Sequence, residues 1–291
     1  MKSSGHKCSN IVEYNAAFLK DIQSICNPLF QNLPITHFIY KRVFQDGYYF
    51  LVSSDFDVTQ KFMVSMKSSE DILFEDAWPA REEIQKYIWP QKQHEYIASG
   101  LEILRCFGIS HGLNIVRRRE EDKSIENIIF ATSFSDVDIH NFFLNNFEIF
   151  NRFIFYFKNK AHKIIENPTT KKLAYSNFYH LKMQKLQLER SQVRDVRKIL
   201  FDSFIEQTKI TKFILKVGYA QDVTLSKMQI QCLYQLSRGK TAKEIARCFG
   251  ISPRTVQTHL NFVKEKLDVS SKACILKYLS EDIVDFLKME I

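Results

Sequence analysis

The sequence of 291 residues lacks paired cysteines, long apolar runs and the short motifs of common enzymes. None of its 6 cysteines belongs to a Cys-x-x-Cys pair. Scattered cysteines argue against a zinc site or a disulfide framework, so we expect no metal and a reducing, cytoplasmic location. The cysteines are Cys8, Cys26, Cys106, Cys232, Cys248 and Cys274.

No stretch has the pattern of a membrane span. The most apolar run, residues 142–157, is interrupted by Asn145, Glu148 and Arg152, which are costly inside a bilayer. The first ten residues, MKSSGHKCSN, are polar and do not resemble a signal peptide. We therefore expect no membrane association.

Enzyme motifs are also missing. There is no Walker loop and no G-x-S-x-G, and His94-Glu95 lacks the second histidine of H-E-x-x-H. A phosphorylated receiver domain is rejected because the first strand ends in Arg42-Val43-Phe44, without an acidic pair, and the strands come in hairpins. We expect no catalytic residues, no cofactor and no enzymatic activity.

Charge is distributed unevenly along the chain. The net charge is +8, yet residues 1–157 carry 16 basic and 20 acidic side chains. Residues 158–216 carry 14 basic and 5 acidic side chains, and residues 225–277 carry 10 and 3. A basic second half is typical of a protein that binds a polyanion.

Residues 241–260 predict two short helices joined by a tight turn. Thr241 and Glu244 have the spacing of a capping box at the start of the first helix. Gly250 provides the backbone freedom for the turn, and Ser252 and Pro253 are suited to the start of the second helix. The pattern indicates a helix-turn-helix.

The second helix has one apolar stripe and a polar, cationic outer face. Such a helix fits the major groove, where Asn and Gln read adenine and Arg and Lys read guanine or contact phosphate. His259 is as suited to bracing the helices as to touching DNA. The apolar stripe is Val256, Leu260, Val263 and Leu267. We predict base contacts from Arg254, Gln257, Thr258 and Asn261. We predict contacts to the phosphate backbone from Lys243, Thr255, Lys264 and Lys266.

From Leu225 to Cys274 the sequence resembles the DNA-binding domain of LuxR-type transcription regulators. The resemblance implies an all-α domain that binds double-stranded DNA as a homodimer. Gln229 stands where the family usually has an acidic residue, but glutamine can still close a capping box with Ser226. The matching residues are Leu225, Ser226, Gly239, Glu244, Ile245, Ala246, Ile251, Ser252, Thr255, Val256, His259, Leu260, Lys266 and Leu267.

Upstream of this domain, the pattern alternates between helices and paired strands. It predicts an antiparallel sheet with flanking helices, an α+β domain. The order resembles the PAS-like sensor domains of LuxR-type quorum regulators, as does FGISHGLNI at 107–115. We expect strands at 36–44, 48–53, 112–118 and 126–133. We expect helices at 11–27, 58–66, 79–88, 94–107 and 136–166.

The resemblance also raises the question of a small ligand in the first domain. The tryptophan and tyrosine that hold an acyl-homoserine lactone in the family are replaced by Val58 and Phe62, and Asp71 is the remaining polar candidate. Trp78 and Trp89 are candidate walls, although both are better suited to a plain core. The prediction is therefore a different apolar or amphipathic ligand, or none.

These patterns predict three parts: a sensor and dimerisation domain at 1–166, a helical connector at 167–217, and the helix-turn-helix domain at 218–291. In the connector we expect a helix at about 173–204, and residues 210–217 fit either a strand or a helix end. The predicted function is a dimeric transcription regulator. The alternative is an interaction module or antagonist that does not bind DNA. Operator, sign of regulation and ligand stay open.

Overall fold

The computed structural model falls into two compact units. The first comprises Met1–Phe147 and Lys160–Gln207, and the second comprises Glu148–Asn159 and Thr208–Ile291. Residues 148–159 thus group with the C-terminal part, whereas the boundary predicted at 166 places them in the first domain; that boundary stays a prediction. The described residues are 11–44, 49–65, 84–89, 104–105, 107–119, 122–133, 139–166, 199–217, 221–279 and 281–289.

The first unit contains an antiparallel five-stranded sheet with flanking helices, which confirms the predicted α+β fold. The strand order is β2-β1-β5-β4-β3, so the two hairpins meet where β1 pairs with β5. The strands are β1 His37–Val43, β2 Tyr49–Ser53, β3 Gln85–Ile88, β4 His111–Arg118 and β5 Ile125–Thr132. The helices are α1 Ile11–Asn32, α2 Phe56–Ser65, α3 Ile139–Asn145, α5 His162–Ile165 and α6 Phe201–Gln207.

Strand register explains why β1 and β5 are buried on both faces. Phe38 lies opposite Phe130, and Lys41 lies opposite Asn127, on the other face of the same strands. The rings of Phe38 and Phe130 contact edge to face at 5.3 Å between centroids. Alternating residues of one strand therefore pack into different layers.

The helix predicted at 79–88 is wrong for its last residues. Gln85–Ile88 form β3 and pair with Leu113–Val116 of β4. A strand of four residues has little periodicity of its own, and its backbone hydrogen bonds are made with a distant segment. The part at 79–83, the helix at 94–107 apart from its last turn, and the helix at 173–198 lie outside the described residues.

Helix α1 continues past the point where it was predicted to end. Pro28 lies inside it, and the helix reaches Asn32. Ile22, Cys26 and Leu29 are fully buried on its inner face. Packing of this apolar face outweighs the one backbone hydrogen bond that proline removes.

The single helix predicted at 136–166 is three helices. Asn146 separates α3 from α4 (Phe147–Lys160), and its side-chain Nδ2 donates to the carbonyl of Phe142 at 2.8 Å. Side-chain hydrogen bonds of this kind compete with the helix backbone. Ala161 separates α4 from α5, because its carbonyl accepts the Ile164 and Ile165 amides of a new turn.

Buried charges tie the sheet to the end of α5. Tyr40 donates to Glu126 at 2.5 Å, and Glu166 accepts from Arg119 at 2.5 Å and from Arg42 at 3.1 Å. Burial, with the charge of Glu126, raises the pKa of Tyr40 well above its usual range. Removing one member would strand a buried charge, which is strongly destabilising.

The second unit has its own aromatic core. The ring of Phe155 on α4 lies 5.8 Å from that of Phe213 and 4.7 Å from that of Phe286. Arg152 is buried beside them, and its Nε donates to Thr208 Oγ1 at 2.8 Å. The core joins α4, the hairpin β6–β7 and α11. Their bounds are β6 Lys212–Val217, β7 Gln221–Ser226 and α11 Glu281–Met289.

Candidate nucleic-acid interface

The first four of the five described helices after β7 build the candidate site. The first helix begins with a capping box, as predicted. Ser226 caps the helix, and the Gln229 side chain accepts a hydrogen bond from the Ser226 backbone amide. The fourth helix is short and spans 5 residues from Lys272. The helices are α7 Lys227–Ser237, α8 Ala242–Phe249, α9 Pro253–Lys266 and α10 Lys272–Leu276.

A compact core fixes α9 against α7 and α8. The predicted stripe of α9 is confirmed, because Val256, Leu260 and Val263 are at most 1% exposed. Val256 and Leu260 pack in one cluster with Cys232 and Ile245. The cluster fixes the rotation of α9 about its own axis, so the side chains opposite the buried stripe face outward.

The caps of α8 and α9 form as predicted. Thr241 Oγ1 accepts from the Glu244 amide at 3.3 Å, and Glu244 accepts from the Thr241 amide at 2.7 Å. These hydrogen bonds lower the pKa of the Glu244 carboxyl. Ser252 Oγ accepts from the Thr255 amide at 3.0 Å, and Pro253 follows the cap.

Gly250 makes the turn between the two helices. Its φ is +64°, in the left-handed region, and its amide donates to the Ala246 carbonyl. The next amide, of Ile251, donates to the same carbonyl at 3.1 Å. The helix end is thereby satisfied, and the chain reverses into α9 within three residues.

The outer face of α9 is polar and cationic. Arg254, Thr255, Thr258 and Asn261 are exposed, while Gln257 is half-buried at the edge of the face. The predicted base readers therefore lie on one helix, within two turns of its N-terminus. Their contact with DNA stays a prediction.

Two hydrogen bonds organise this face. Gln257 Nε2 donates to Asn261 Oδ1 at 2.9 Å. Thr258 Oγ1 donates to the Arg254 carbonyl at 3.0 Å. The first bond joins two predicted base readers into one unit, which the sequence alone did not reveal.

The predicted phosphate contacts are placed less uniformly. Lys243 is exposed on α8, and Thr255 Oγ1 lies 2.8 Å from Ser252 Oγ at the start of α9. Lys264 is half-buried. Lys266 Nζ donates to the Thr224 carbonyl at 2.8 Å, so it also fastens α9 to β7.

The candidate ligand residues are only partly described. Val58 is fully buried on α2, and Trp89 is 6% exposed. The Trp89 indole donates to Asn114 Oδ1 at 2.8 Å, and its ring packs on Gly112 so closely that a Cβ there would lie 2.6 Å from it. Trp89 is thus held by the sheet. The side chain of Phe62 and residues Asp71 and Trp78 lie outside the described residues.

Phe262 is an exposed residue beside the predicted base readers that pattern reading did not single out. It lies next to Asn261 on α9 and is 49% exposed. An apolar residue in an amphipathic helix is normally assigned to the core, so the pattern alone does not predict its exposure. Among the described residues, no group of three or more His, Cys, Asp or Glu is arranged to hold a metal ion.

The short helix α8 is joined to the capped helix α9 by Gly250 in the left-handed conformation, and one face of α9 is buried. This arrangement defines a helix-turn-helix DNA-binding domain. Residues 223–279 match the model of the bacterial regulatory proteins, luxR family. This part of the chain is therefore a LuxR-family DNA-binding domain.

Among solved structures, a crystal structure of SdiA from Escherichia coli is similar at 9% identity, with 96% of this chain and 93% of that chain covered and a TM-score of 0.29. SdiA in complex with octanoyl-rac-glycerol is similar at 9% identity, with 94% and 88% covered and a TM-score of 0.29. No curated protein matches significantly. No described helix has the length and apolar character of a membrane span.

Proposed function

We propose that this protein is a sequence-specific, dimeric transcription regulator that reads its operator with the outer face of α9. The observation that carries the proposal is the grouping of Arg254, Thr258 and Asn261 as exposed side chains on a helix whose opposite face is locked into a core. An α-helix fits the major groove, and these side chains have the donors and acceptors that distinguish base pairs.

Charge supports the same assignment. Residues 225–277 carry 10 basic and 3 acidic side chains. Lys243 on α8 and Thr255 at the start of α9 contact phosphates, together with the helix N-terminus. Lys264 and Lys266 contribute positive charge at the far end of α9.

Dimerisation follows from the way helix-turn-helix proteins achieve affinity. One recognition helix covers only a few base pairs, so two copies on half-sites about one helical turn apart are needed for a specific operator. We propose that the first unit sets the spacing of the two copies, in the cytoplasm. Sedimentation of the protein with and without operator measures this directly.

A small apolar or amphipathic ligand in the first unit is the second part of the proposal. Burial of Val58 supports an apolar interior, while the bond from Trp89 to Asn114 leaves its indole N–H engaged within the sheet. Native mass spectrometry of the purified protein tests this part. A constant added mass above that of the polypeptide, lost on denaturation, supports a bound ligand. The mass of the polypeptide alone contradicts one.

The main test is selection of binding sites from a random duplex pool by the full-length protein. We expect an enriched, roughly palindromic motif, and reduced sequence preference for Arg254→Ala and Asn261→Ala. Lys288→Ala is the matched control, since it removes an exposed cation on α11. Failure to enrich any sequence would favour the alternative, an interaction module that does not bind DNA.

A further inference from the structure

Phe262 is an exposed aromatic ring on an otherwise polar surface. Of the large hydrophobic residues described between 223 and 279, it alone is exposed, at 49%. Its neighbours Leu260 and Val263 fill the core, so the ring is not needed there. It follows Asn261 directly and lies one helical turn after Thr258.

The position of Phe262 on α9 places it at one flank of the predicted reading face. At about 100° per residue, Arg254, Thr258 and Asn261 lie near the centre of the outer face. Phe262 lies to one side of that centre, close to the line of Thr255, which is predicted to contact phosphate. A side chain between base readers and phosphate contacts meets the wall of the major groove.

That wall offers one apolar feature. The 5-methyl group of thymine projects into the major groove beside the sugar of its own strand, and Phe is among the side chains that pack against it. A protein partner would be expected to meet a larger apolar patch than a single ring. The net positive charge of residues 225–277, with 10 basic and 3 acidic side chains, instead complements a polyanion, which selects duplex DNA as the occupant.

We propose that Phe262 selects thymine at one position of each half-site by packing its ring against the 5-methyl group. This inference rests on the proposed function, because it assumes that α9 enters the major groove. Phe262 would thus recognise a base by apolar contact, whereas the other predicted base-contacting side chains act by hydrogen bonds.

The test replaces each thymine of a selected duplex, one at a time, by deoxyuridine, which lacks only the methyl group. For the wild type we expect one position per half-site at which the replacement weakens binding about fourfold, the value for burying one methyl group. Phe262→Ala should bind the thymine duplex more weakly and no longer distinguish it from the uracil duplex. Phe262→Leu should retain part of the distinction.

Controls separate this proposal from the proposed function. Phe262→Ala should keep the wild-type melting temperature, because the ring is outside the core. Tight wild-type binding with no thymine preference at any position would overturn the role of Phe262 alone. A thymine preference that survives in Phe262→Ala would also overturn the role of Phe262, whatever the oligomeric state of the variant. If the wild type binds no duplex, both proposals fail.

Discussion

Gln257 and Asn261 are hydrogen-bonded to each other on the outer side of α9, with 2.9 Å between Gln257 Nε2 and Asn261 Oδ1. The bond leaves Gln257 Oε1 as an acceptor and Asn261 Nδ2 as a donor. Adenine presents a donor at N6 and an acceptor at N7 in the major groove. The pair therefore presents a pattern complementary to one adenine, and we propose that the two side chains read that base jointly.

The first prediction concerns this pair. Gln257→Ala and Asn261→Ala should each reduce discrimination at the same A·T base pair by about 1–3 kcal/mol. The double variant should lose less than the sum, because either substitution alone already disrupts the pair. Binding to duplexes substituted at each position measures the effect. Gln231→Ala on α7 serves as control, and additive losses at two different base pairs would contradict joint reading.

The second prediction concerns Gly250. It has a φ of +64°, and Gly239 has a φ of +80°; a Cβ at either would meet no atom within 4 Å. Alanine at either position should therefore lower stability by about 1–2 kcal/mol through backbone strain alone. Urea unfolding measures this loss.

The two glycines should differ in DNA binding. Gly250→Ala disturbs the turn that orients α9 and should weaken operator binding even at temperatures where the variant is folded. Gly239 lies before α8 and does not orient α9. Gly239→Ala should therefore leave operator affinity near the wild-type value. Equal affinity losses for the two variants would contradict the role assigned to the Gly250 turn.

The third prediction separates the cap of α9 from its contact with DNA. Ser252 Oγ accepts the Thr255 amide at 3.0 Å. Ser252→Ala should cost about 1 kcal/mol of stability, whereas Ser252→Asp should retain the cap. Aspartate adds a negative charge where α9 is proposed to approach phosphate, so Ser252→Asp should be stable but bind DNA weakly. Thermal unfolding measures the stability, and fluorescence anisotropy measures the affinity for DNA. Tight DNA binding by Ser252→Asp would mean that no phosphate lies near the start of α9.

The fourth prediction is a pH dependence in the first unit. Lys41 is 6% exposed, and burial lowers the pKa of its ammonium group to about 8 from 10.5. Between these values the unfolded chain binds more protons than the folded one, so stability rises with pH across that window. Below pH 8 both states are protonated, and burial of the charge costs about 3 kcal/mol.

Lys41→Met should consequently stabilise the protein at pH 7, with a gain that shrinks as the pH rises towards 10. Urea midpoints of the full chain at several pH values measure this. Lys20→Met, an exposed substitution on α1, should show no such gain. A gain for Lys41→Met that is independent of pH would mean that its cause is packing and not charge.

Local signals explain which parts of the structure were predictable. Thr241, Gly250 and Ser252 each act on residues within four positions, so the helix-turn-helix was predictable from short stretches of sequence. The hairpins were predictable for the same reason. The candidate ligand residues stay a prediction, because most of their side chains lie outside the described part of the chain.

Long-range contacts explain the errors. Gln85–Ile88 become a strand by pairing with β4, and α1 passes Pro28 because Ile22, Cys26 and Leu29 are buried on its inner face. The exposure of Phe262 and the bond between Gln257 and Asn261 depend on how α9 is rotated in its core. Periodicity gives the stripe of a helix but not the partners of each side chain on the opposite face.

The most direct test of the account is the salt dependence of binding to a selected duplex by the full-length protein. If α9 enters the major groove with Thr255, Lys243 and their neighbours on phosphates, affinity should fall steeply between about 50 and about 200 mM salt. Each phosphate neutralised contributes about −0.9 to the slope of log affinity against log salt, and Lys243→Ala should make that slope shallower by about one phosphate. No binding at the lower salt concentration, or an affinity that salt does not change, would contradict the claim that this helix reads DNA.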